Sequence, residues 1–101
     1  MSTEQPTEKE LLKTILEPLL EDFQYWFERS LSLLRSEQMP FFTESEQAQT
    51  EERIALALQE VQTSQMLFKA TDGAAGIDSK ILHYWHQLVA ECWSIARRRH
   101  S

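Results

Sequence analysis

Thr7–Ser36 reads TEKELLKTILEPLLEDFQYWFERSLSLLRS. Its opening, Thr7-Glu8-Lys9-Glu10, has the form of a capping box, with a hydroxyl for an orphan amide and a glutamate three residues on to reach back. From Leu11 the apolar residues recur at helical spacing through Ile15, Leu16, Leu19, Leu20, Phe23, Trp26, Phe27, Leu31 and Leu34. That spacing predicts one helix over about 8–36, roughly 45 Å long at 1.5 Å per residue. Pro18 removes the amide that would bond to Thr14, yet Leu16, Leu19 and Phe23 hold one phase across it, so a kink is expected there rather than an end. The apolar side chains cover an arc of about 200°, wider than one contact stripe requires, and the helix is expected to touch two neighbours.

Working outward, Met39-Pro40-Phe41-Phe42 is expected to turn the chain, because a residue before proline resists helix. Thr43-Glu44-Ser45-Glu46 repeats the capping-box pattern, and a second helix is predicted over about 44–72 with Ile54, Leu58, Val61, Gln65 and Phe68 on its stripe. Asp72-Gly73 is a helix stop, Gly76 loosens the connection, and Asp78 is placed to cap a third helix over about 79–99, with Ile77 and Leu82 as a hydrophobic staple. Ile81, Trp85, Leu88, Cys92 and Ile95 lie on one side of that helix and Leu82, Val89, Trp93 and Ala96 on the other. Short connections force antiparallel neighbours, so the expected fold is all-α, an antiparallel three-helix bundle. Residues 7–101 form its single domain and residues 1–6 a flexible tail.

Composition agrees. With 101 residues, 42% of them hydrophobic, the chain has material for one core, and two glycines and three prolines leave little for β-structure. Sixteen acidic residues against ten basic ones give a net charge of −6, the wrong sign for gripping a phosphate backbone, so no nucleic-acid partner is expected. A lone cysteine, Cys92, cannot close an internal disulfide. No apolar run approaches the roughly 20 residues of a membrane span and the polar start has no signal-peptide core, so a cytoplasmic location is expected.

Few residues invite a chemical reading. His83 and His86 stand three apart on helix three and could face one metal, but no matching cysteine or carboxylate supports them. His86 with Trp26, Trp85 and Trp93 could also converge on a pocket for a small molecule or tetrapyrrole. Packing accounts for the same residues more simply: His83 solvated, His86 bonded to the 72–78 loop, Cys92 a small buried hydrophobe. Asp72 and Asp78 are read as helix-end residues, and Arg97-Arg98-Arg99 as charges complementing a helix C-terminus, with weak contact to a membrane surface as the alternative. Leu56 and Leu67 project almost opposite the main stripe of helix two, with Thr63 between them, and Tyr25 falls outside the arc of helix one. These four are the candidate interface residues. No phosphate-cradling loop, nucleophile triad or pair of inward carboxylates is present, so no enzymatic activity and no cofactor are expected.

Leu11–Ser30 (LLKTILEPLLEDFQYWFERS), Leu67–Gly73 (LFKATDG) and Trp85–Trp93 (WHQLVAECW) resemble a family of small cyanobacterial proteins catalogued only as a domain of unknown function. The resemblance spans about residues 9–96 and implies a small helical domain with a cytosolic or stromal-side location. It supplies no activity, cofactor or catalytic residue. The function expected from the residues is a protein–protein interaction or assembly module, with a small-molecule, metal or tetrapyrrole binding bundle as the alternative.

Overall fold

In the computed structural model residues 7–100 are described, and the expected tail at 1–6 lies outside them. Three helices follow in order: α1, Glu8–Ser36; α2, Glu44–Ala70; and α3, Ser79–His100. No strand occurs among the described residues. The first two begin where local chemistry starts them. Thr7 Oγ1 accepts the Glu10 amide at 3.1 Å while Glu10 Oε2 accepts that of Thr7 at 3.3 Å, and Thr43 and Glu46 make the same exchange at 3.1 and 2.9 Å. Asp78 Oδ1 accepts the Lys80 amide at 2.8 Å at the head of α3. Helix α1 runs unbroken through Pro18.

The end of α2 departs from the expected one. The helix stops at Ala70 rather than Asp72, because Asp72 itself takes the left-handed position (φ 51°) and Gly73 follows at φ 84°. The Gly73 amide donates to Phe68 O at 2.7 Å and the Asp72 amide to Lys69 O at 3.2 Å, which closes a Schellman motif. Aspartate tolerates this conformation better than most side chains. Gly73 is favoured there by its positive φ rather than by crowding, since a Cβ would make only ordinary contacts, 3.5 Å from the Phe68 ring and 3.6 Å from Lys13.

Helix α1 packs against both α2 and α3, which approach each other much less closely. Its inward residues Leu16, Leu20, Phe23, Phe27, Leu31 and Leu34 meet Ile54, Ala57, Val61 and Phe68 of α2 and Trp85, Leu88, Val89, Cys92 and Ile95 of α3 in one core. Phe23 meets Trp85 edge-on with centroids 5.7 Å apart. Carried six residues back, that pairing sets Ser79 beside Glu17, so the first turns of α1 project beyond the start of α3. Leu11, Leu12 and Ile15 accordingly keep much of their surface exposed, although the spacing places Leu11 and Ile15 on the apolar arc. At the other end buried Gln47 ties the interhelical turn together. Its Oε1 accepts the Met39 amide at 2.8 Å, and its Nε2 donates to the Leu34 and Glu37 carbonyls, each at 2.8 Å.

Candidate functional site

Helix α2 is apolar on two sides. Ile54, Ala57, Val61 and Phe68 are buried against the core, whereas Leu56 and Leu67 keep 53% and 54% of their surface exposed, and Thr63 between them is exposed too. Ile81 and Tyr84 of α3 are likewise exposed, and Ile81 borders the groove between α2 and α3. A recess of about 460 Å³ lies there, lined by Gln59, Glu60, Thr63, Ser64, Ile81 and Trp85. Trp85 is 1% exposed, and its indole Nε1–H, sealed from solvent, has no hydrogen-bond acceptor. A buried donor left unpaired costs on the order of 1–3 kcal/mol. Ile81 and Tyr84 escape a sequence reading because helical phase gives direction but not the distance to the next helix.

Tyr25 belongs to a different surface. Its ring stands edge-on to Trp26 at 5.1 Å, and Trp26 stands edge-on to Trp93 at 5.9 Å. The Arg29 guanidinium lies 5.7 Å over the Trp26 ring and donates from Nη1 to Tyr25 Oη at 2.9 Å. The four form one cluster along the α1/α3 seam, with Trp26 half-buried and the other three exposed. Beside it a cleft of about 350 Å³ opens between the C-terminal halves of α1 and α3, with Trp26, Arg29, Ser30, Leu33, Cys92 and Arg99 in its lining. Cys92 is 2% exposed. Burial pushes its thiol up, outweighing the opposing hydrogen bond from Ser30, so it sits there as a neutral group.

The residues singled out for a pocket therefore divide. Trp85 lines the α2/α3 recess and Trp26 the α1/α3 cleft, while Trp93 meets Trp26 at the seam and His86, exposed, presents its ring edge-on to Phe23 at 6.0 Å. His86 packs on that ring instead of bonding the 72–78 loop. His83 is exposed, and among the described residues no three His, Cys, Asp or Glu side chains gather as a metal site would need. Asp72 accepts from Lys13 Nζ at 2.6 Å, joining the head of α1 to the end of α2. The arginine run turns back on the fold: Arg98 lies 4.1 Å over the Phe41 ring and Arg99 pairs with Glu37. Arg97 is exposed. No helix among the described residues is long and apolar enough to cross a membrane.

No curated protein and no solved structure matches the chain. One family model does, over residues 6–101, and it takes in all three helices and both surfaces just described. The chain belongs to the family described as protein of unknown function (DUF2605).

Proposed function

We propose that this chain is a non-enzymatic interaction module that assembles by docking, and that the occupant of its docking face is a second copy of itself. One observation carries the reading: α2 exposes Leu56 and Leu67 opposite its buried stripe, with Thr63 between them lining a recess shared with Ile81 of α3. The face has the size such an interface requires. Helix α2 has 27 residues, about 40 Å at 1.5 Å per residue, and with α3 alongside it offers a surface some 20 Å wide. That is about 800 Å² per partner, as in interfaces of standard size. Two-fold pairing is also geometrically simple, since antiparallel α2 helices centred between Val61 and Gln62 set Leu56 opposite Leu67 of the partner subunit. A cytoplasmic setting suits a chain with one buried thiol and no disulfide.

Light scattering coupled to size exclusion, run over a hundredfold range of concentration, tests this with wild type beside a Leu56→Glu, Leu67→Glu variant. The expected result is a dimeric wild type and a monomeric variant with unchanged helical circular dichroism. A wild type that stays monomeric across the range rejects self-assembly.

A further inference from the structure

The α1/α3 cleft has no part in the assembly face, and its charge runs against that of the chain. The net charge of the protein is −6, yet the charged residues lining the cleft are Arg29 and Arg99, with no acid among them. Arg29 makes no ion pair among the described residues; its partners are the neutral Tyr25 hydroxyl and the Trp26 ring. Arg99 bonds Glu37 through Nε, which leaves most of the five donors of its guanidinium uncommitted to that bond. Between these two charges Trp26, Leu33 and Ala96 form an apolar wall, and Ser30, Ser32, Ser36 and Cys92 complete the lining. At about 350 Å³ the cleft falls at the lower end of small-ligand sites and holds roughly a dozen waters at about 30 Å³ each.

We propose that this cleft is a binding site for a small amphipathic carboxylate, its apolar body against Trp26, Leu33 and Ala96 and its head group held by Arg29 with help from Arg99. The planar fork of a guanidinium matches a carboxylate in two parallel hydrogen bonds. One arginine without an acidic partner and a second already shared with Glu37 suit a single negative charge better than two. The volume suits a body of about eight carbons. The neutral Cys92 thiol offers such an anion no repulsion, and Ser30 gives it a polar neighbour.

Octanoate, octanol and octyl phosphate titrated into the full chain test this, followed by tryptophan fluorescence and calorimetry, with Arg29→Gln beside wild type. Octanoate is expected to saturate one site per chain and to bind at least tenfold more tightly than octanol, because hydrogen bonds to charged groups contribute that much. Arg29→Gln is expected to reduce octanoate to the level of octanol with an unchanged unfolding temperature, since Arg29 is exposed and touches only Tyr25 and Trp26. Ala96→Phe, which fills the cleft, is expected to abolish binding of both. Octanoate binding no tighter than octanol, or unaffected by Arg29→Gln, overturns the proposal. Tighter binding of octyl phosphate than of octanoate overturns the single-charge assignment.

Discussion

Replacing Gln47 by alanine removes three hydrogen bonds at the turn between α1 and α2. The carboxamide is 5% exposed, accepts the Met39 amide and donates to the carbonyls of Leu34 and Glu37. In Gln47→Ala the Met39 amide and the Leu34 carbonyl lose their bonds in buried surroundings, while the Glu37 carbonyl is only partly buried and can turn to water. Two such groups at 1–3 kcal/mol each, softened by some water entry, give a loss of about 2–4 kcal/mol. Against the 5–15 kcal/mol typical of a small domain this is a large share, and it lowers the unfolding temperature by roughly 10–25 °C. Urea unfolding followed by circular dichroism at 222 nm measures it. Gln47→Glu, which keeps an acceptor for Met39 but sets a carboxylate against two carbonyls, is expected to lose at least as much at neutral pH. A loss below about 1 kcal/mol for Gln47→Ala, with an unchanged denaturant slope, would refute the idea that this carboxamide holds the turn.

Two further outcomes follow from the packing and the caps. Trp85→Ala empties a fully enclosed site and is expected to cost about 3–5 kcal/mol, whereas Trp26→Ala, at a half-buried seam, costs clearly less. Equal losses in urea unfolding would contradict that placement. The capping bonds from Thr43 hold the Glu46 carboxyl below its ordinary value of 4.5. A carboxyl depressed in the folded state contributes stability that is complete above about pH 4.5 and is lost as pH falls through the folded value. Between pH 6 and pH 3 the unfolding temperature of wild type is therefore expected to fall more steeply than that of Glu46→Gln, which has no carboxyl to protonate there, and parallel curves would argue against it.

The parts of the fold legible in the sequence are those set by neighbours along the chain. Both capping boxes and the phase of each apolar stripe are local properties, and they placed Thr7, Thr43 and the buried faces of all three helices. The Asp72-Gly73 stop is legible, but α2 ends two residues earlier than about 72, since the left-handed backbone begins at Asp72 and not only at the glycine. Leu11 and Ile15 belong by phase to the apolar arc. Periodicity carries no information about where a neighbouring helix begins, and α3 starts too late to cover them. Gln47 had a usable signal, since it shares the phase of Ile54 and Val61, but a polar residue on a stripe reads as an interruption until its partners from α1 are seen. Leu56, Thr63 and Leu67 could be grouped from one helix alone. Tyr25 could not be separated from them until the structure set it against Trp26 and Arg29. The α1/α3 cleft joins segments more than fifty residues apart in the sequence, and no local pattern announces it.

The self-assembly of α2 about a two-fold axis is tested most sharply by crosslinking. A Leu56→Cys chain mixed with a Leu67→Cys chain and treated with a short bismaleimide should yield mixed dimers, because antiparallel pairing sets those positions face to face. Either variant alone should crosslink poorly, since its two cysteines would lie about 16 Å apart along the helix axis. Efficient mixed crosslinking with weak self-crosslinking is the predicted result; equal yields from all three samples, or none from the mixture, would contradict the assembly face.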